Sequence, residues 1–167
     1  MKRNLKGLYL IGSLAILVGL FGIMGCSTTN PLSVGQEETP ILTKGLTISV
    51  SDTINAATGG EIAVGSSNFI VSANSISNDE EISVSSYTGT VNNKSALVFE
   101  FGPDGLVFSK AATLDVAIAE VSAKAKYAKL YYYDPNTGIW TLQSTSKAID
   151  GRVLFAIYHF SKYAISD

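Results

Sequence analysis

Residues 97–108 read Leu97-Val98-Phe99-Glu100-Phe101-Gly102-Pro103-Asp104-Gly105-Leu106-Val107-Phe108, and this stretch decides the fold class. Leu97, Phe99 and Phe101 recur at a period of two, the spacing that puts side chains on one face of a strand. Gly102-Pro103-Asp104-Gly105 is a turn: Pro103 fixes its own φ and the glycines tolerate positive φ. Leu106-Val107-Phe108 resumes the apolar run. The segment therefore predicts strand, turn, strand, in the form of a hairpin.

The same texture extends in both directions. Leu46-Thr47-Ile48-Ser49-Val50 and Glu81-Ile82-Ser83-Val84-Ser85 alternate, and further β-like runs fall at 69–71, 113–118, 128–133, 138–143, 153–158 and 163–165. Asp134-Pro135-Asn136-Thr137-Gly138 predicts a second hairpin, with Asp134 bonding the turn backbone and Gly138 in a left-handed position. Asn78-Asp79-Glu80-Glu81 is read as another turn. Neither acidic loop offers the several oxygen ligands that a calcium site needs. Residues 117–128 are rich in Ala, Glu and Lys but have no apolar stripe, so they read as a strand end followed by a lysine-bearing loop. Many short alternating strands with regular turn signals predict an all-β fold, a single antiparallel β-sandwich over residues 45–167.

The chain begins differently. Lys2, Arg3 and Lys6 precede an apolar and glycine-rich stretch over residues 8–23, followed by Ile23-Met24-Gly25-Cys26-Ser27. This is the layout of a secretory signal, too short and too rich in glycine for a comfortable membrane span. Cys26 is the sole cysteine, and its setting resembles the bacterial lipobox. That resemblance implies a signal peptide over residues 1–25 and an acylated Cys26 as the new N-terminus. Residues 26–44 are then a lipidated, polar, flexible tether. The expected location is extracytoplasmic, lipid-anchored to the cell membrane, or to the outer membrane if the host has one.

Composition narrows the chemistry. The chain holds 12 basic and 14 acidic residues and one histidine, for a formal net charge of −2. Loss of Lys2, Arg3 and Lys6 with the signal makes the remainder more acidic, with Arg152 its one arginine. Such a domain is a poor partner for nucleic acid. An acylated Cys26 leaves no thiol for a metal, and a single histidine, His159, excludes a site needing two. No cofactor or metal is expected.

Gly59-Gly60-Glu61-Ile62 followed by Phe69-Ile70-Val71-Ser72-Ala73-Asn74-Ser75-Ile76 is similar to the opening of the ZU-five domain, the family shared by zonula occludens proteins, Unc-five netrin receptors and ankyrins. Phe101-Gly102-Pro103-Asp104-Gly105-Leu106-Val107-Phe108 resembles that family's glycine-proline hairpin. Tyr131-Tyr132-Tyr133, Ile139-Trp140 and Tyr158-His159-Phe160-Ser161-Lys162-Tyr163-Ala164 match its bacterial secreted relatives. The resemblance covers roughly residues 57–167. It implies a β-sandwich used for interaction and spacing rather than as a general enzyme.

Some relatives resemble self-cleaving proteins that cut between Phe and Ser of His-Phe-Ser. Here that tripeptide is His159-Phe160-Ser161, with Ser161 as nucleophile and His159 as general base. The competing reading makes His159 a packed residue, Phe160 core, and Ser161-Lys162 a tight turn. A conventional serine hydrolase is disfavoured, because it would have to use the single histidine beside its own serine and no G-x-S-x-G elbow is present. Tyr131, Tyr132, Tyr133, Trp140, Tyr158 and Tyr163 offer a third possibility, a stacking platform for carbohydrate, against core packing plus an ordinary exposed tyrosine. Successive strand residues alternate faces, so Tyr132 lies opposite to Tyr131 and Tyr133. The leading expectation is a non-catalytic envelope lipoprotein that binds a protein or another cell-envelope partner.

Overall fold

The structure, a computed structural model, describes residues 46–167. The expected signal peptide (1–25), Cys26 and the expected tether (26–44) lie outside these residues. Ten strands and one helical turn follow in the order β1 (Ile48–Ile54), β2 (Gly59–Val64), β3 (Ser67–Ser72), β4 (Glu80–Val91), β5 (Lys94–Gly102), β6 (Val107–Ala117), α1 (Ile118–Val121), β7 (Tyr127–Asp134), β8 (Ile139–Lys147), β9 (Arg152–His159) and β10 (Lys162–Ser166). They form a six-stranded sheet, β1-β4-β5-β10-β7-β8, and a four-stranded sheet, β2-β3-β6-β9. All pairings are antiparallel. The protein is an all-β sandwich, as the alternation predicts.

Alternation sets which side chains meet between the sheets. In β9, Val153, Phe155 and Ile157 are buried while Leu154, Ala156 and Tyr158 are exposed. From β5 come Phe99 and Phe101, from β3 Phe69, and from β6 Phe108, all in one buried cluster. Burying one such ring contributes roughly 1.5–3 kcal/mol. Among the described residues the buried members of this core run from Ile54 to Ile165. On the outer face of the six-stranded sheet, Tyr87, Val98 and Ala164 form one cross-strand row within a second buried apolar cluster.

Three sequence expectations change. Gly102–Gly105 does turn the chain, with Leu106 N–H donating to Pro103 O at 3.3 Å, but it does not close a hairpin. Both edges of β5 are already taken, by β4 and β10, so β6 has no place beside it and pairs with β3 and β9 in the other sheet. The turn is an arch between the layers. Second, the run at 81–85 is part of a much longer hairpin, β4–β5, closed by Asn92 and Asn93 at φ 52 and 61. Asparagine tolerates this left-handed conformation, and a two-residue turn of that kind matches strand twist. Third, Gly59–Val64 is a strand, and the runs at 106–108 and 113–118 merge into β6 across a bulge. After β6, Ile118 anchors the single turn of α1 in the core.

The acidic loops are structural. Asp134 Oδ1 accepts from Asn136 N–H at 2.9 Å and Oδ2 from the Thr137 hydroxyl at 2.9 Å, closing the predicted β7–β8 hairpin. These bonds, the Asn136 amide first, hold the Asp134 carboxyl below the usual carboxylate range. Asp79 accepts from Ala56 N–H at 2.8 Å and from Asn55 Nδ2 at 3.0 Å, which fastens the β1–β2 turn.

Candidate functional site

Chemistry concentrates where β9 leaves one sheet and β10 enters the other. Two residues, Phe160 and Ser161, make the crossing. Phe160 is 1% exposed. Its ring contacts Phe101 at 5.2 Å, Phe69 at 5.5 Å and Phe108 at 5.1 Å between centroids. Its N–H donates to Leu106 O at 2.7 Å, and its carbonyl accepts from Gly105 N–H at 3.3 Å. Phe101 N–H donates to Ser161 O at 3.3 Å. The arch at Gly102–Gly105 and the crossing at Phe160–Ser161 are therefore laced together by backbone hydrogen bonds. The Gly102–Gly105 arch and the His-Phe-Ser tripeptide, over fifty positions apart in sequence, are one structural unit.

His159 is half-buried. Its Nδ1 lies 3.4 Å from Phe160 O and 3.5 Å from the Tyr163 hydroxyl, and its own carbonyl accepts from that hydroxyl at 2.9 Å. The edge of one ring meets the other between Tyr132 and His159, 5.5 Å apart at 82°. Burial, and then the neighbouring Tyr132, pushes the Tyr163 hydroxyl up to about 12, so it stays a donor at neutral pH. Among the described contacts none joins His159 to Ser161 Oγ. Neither Phe160 nor Ser161 has the left-handed φ found at Asn74, Asn92, Asn93 and Asp150. Tyr163 was not expected as the partner of His159. The clue in sequence is its position just beyond the crossing, where a ring can turn back over the strand end it has left.

The three tyrosines of β7 divide between faces. Tyr132 points inward and packs on the core. Tyr131 and Tyr133 point outward beside Trp140, with Tyr133 and Trp140 at 5.1 Å and the Lys162 ammonium 5.2 Å from the Tyr133 ring. All three outward rings are half-buried, and among the described residues the well-exposed tyrosines are Tyr127 and Tyr158, on different strands. The aromatics are thus not gathered into one open stripe.

Among the described residues, no group of three His, Cys, Asp or Glu side chains is placed to hold a metal. No described helix is long and apolar enough to cross a membrane. Comparison with known proteins gives no matching family model and no matching curated relative.

Proposed function

We propose that this protein is a membrane-tethered envelope lipoprotein whose ZU-five-like sandwich acts as a non-catalytic interaction or structural module. The observation that supports a non-catalytic role is the use made of the His-Phe-Ser tripeptide. Phe160 is core, and both the ring and the carbonyl of His159 are engaged by Tyr163. The anchor half of the reading rests on the leader and on Cys26. Growth with labelled palmitate followed by membrane fractionation tests it. The wild-type chain should carry label and sediment with membranes, and Cys26→Ala should lose the label and membrane retention. A variant that stays bound as tightly as wild type removes the lipid anchor from the reading.

One observation favours a second reading, self-cleavage between Phe160 and Ser161. The Gly105 N–H already donates to the Phe160 carbonyl, the oxygen that would gain charge on attack. In that reaction Ser161 Oγ bonds to the Phe160 carbonyl carbon and its proton passes to His159. His159 passes this proton on to the Ser161 nitrogen as the C–N bond breaks, so that the nitrogen leaves as an amine, and water hydrolyses the resulting ester.

A further inference from the structure

Among the described residues four strands have a free edge: β1 and β8 in one sheet, β2 and β9 in the other. Natural sheets guard such edges with charges, prolines, bulges or short length, because an open edge pairs with other chains. Three of the four are guarded. Asp52 lies on β1, and β2 is short, opens on Gly59-Gly60 and carries Glu61. The edge strand β8 is broken by a bulge at Gln143 and ends on Lys147.

No such guard is found on β9. From residue 153 to 158 it reads Val-Leu-Phe-Ala-Ile-Tyr, without charge, glycine or proline. Its pairing with β6 is regular from Arg152 to Ile157, and the bulge lies beyond that stretch. Arg152, at one end, is committed to Asp115 at 2.6 Å. Leu154 is 57% and Tyr158 63% exposed. A groove of about 340 Å³ runs along the free side, between β9 and β8, lined by Leu154, Ala156 and Tyr158 among others.

The order of these side chains points to one occupant. The outward face of β9 is large, small, large: Leu154, Ala156, Tyr158. We infer that β9 pairs antiparallel with β9 of a second copy, about a two-fold axis at Ala156. In that register Leu154 meets Tyr158 of the partner subunit, and Ala156 meets Ala156 of the partner subunit. Inward, Phe155 meets Ile157 of the partner subunit, so both faces keep their character. An antiparallel pair of identical strands is isologous, as a two-fold dimer requires. Aliphatic–aromatic cross-strand pairs are among the favourable ones. The four-stranded sheet then continues through the axis as one eight-stranded sheet. This gives the interaction module a partner, a second copy of itself. It rests on the interaction reading above but not on the lipid anchor, and can be tested without Cys26.

The test is sedimentation equilibrium of residues 27–167 at up to about 0.5 mM, where a dimer with a Kd of about 0.1 mM is mostly formed. Wild type should be dimeric. Ala156→Lys and Ala156→Glu, each placing like charges at the axis, should weaken the dimer at least about tenfold, while their equimolar mixture should restore it. Position 156 is exposed, so thermal melts of the two variants should show folded domains. A wild type that stays monomeric overturns the pairing and leaves the edge to a different protein strand. A dimer indifferent to both substitutions overturns it too, by placing the interface elsewhere.

Discussion

Phe160 stacks on Phe101 with centroids 5.2 Å apart and planes only 16° from parallel. Phe101 lies next to the end of β5 in the six-stranded sheet, and Phe160 rides the short crossing from the four-stranded one. The pair clamps the two layers together at the point where the chain twice changes sheet. Phe160→Ala should therefore cost about 3–5 kcal/mol, the range for emptying a well-packed aromatic site. Urea unfolding followed by circular dichroism measures it. A loss below about 1 kcal/mol would mean that the crossing is held by its backbone bonds alone.

Alkaline stability should depend on Tyr163. An unburied tyrosine titrates near 10, whereas burial lifts Tyr163 to about 12. The folded state holds this proton more tightly than the unfolded state. Its contribution is complete below about pH 10 and is lost as pH rises toward about 12. Tyr163→Phe should flatten the fall in Tm over that interval. Tyr87 is raised as well, by burial first and then by Glu100, so part of the slope should remain. An unchanged slope would separate Tyr163 from the alkaline transition.

The bond between Phe160 and Ser161 should remain intact. Denaturing mass spectrometry of residues 27–167 should return one full-length mass, identical in behaviour to Ser161→Ala. A fragment ending at Phe160, with a companion peptide starting at Ser161 that vanishes in Ser161→Ala, would make self-cleavage the function of the tripeptide.

Burial alternation was legible in sequence wherever apolar residues kept a strict period of two. Phe99 and Phe101, or Val153, Phe155 and Ile157, point inward as their spacing requires. The second half of β4 was not legible. There Tyr87 and Val91 are separated by Gly89 and threonines and belong to the outer apolar cluster, so no single face stands out. The Asn92-Asn93 turn was the available signal, as was Asp150-Gly151 before β9, with φ 49 and 78. Gly59-Gly60 reads as a breaker, yet it opens β2 against Val71 and Ser72. Sheet membership was the deeper difficulty. Gly102–Gly105 looks the same whether it closes a hairpin or arches between layers, because the choice is made by β4 and β10, distant in sequence. For the same reason the free edge of β9 and the grip of Tyr163 on His159 emerge only after the strands are ordered in space.

The last strand, β10, lies in the middle of its sheet, between β5 and β7. Translation delivers it after the other nine strands. Until it emerges, β1, β4 and β5 have nothing to join them to β7 and β8, and the sheet stays in two halves. Closure is thus a late, long-range event, of the kind that slows folding. The strand order thus defers closure of the six-stranded sheet until nearly all of the described domain has been made.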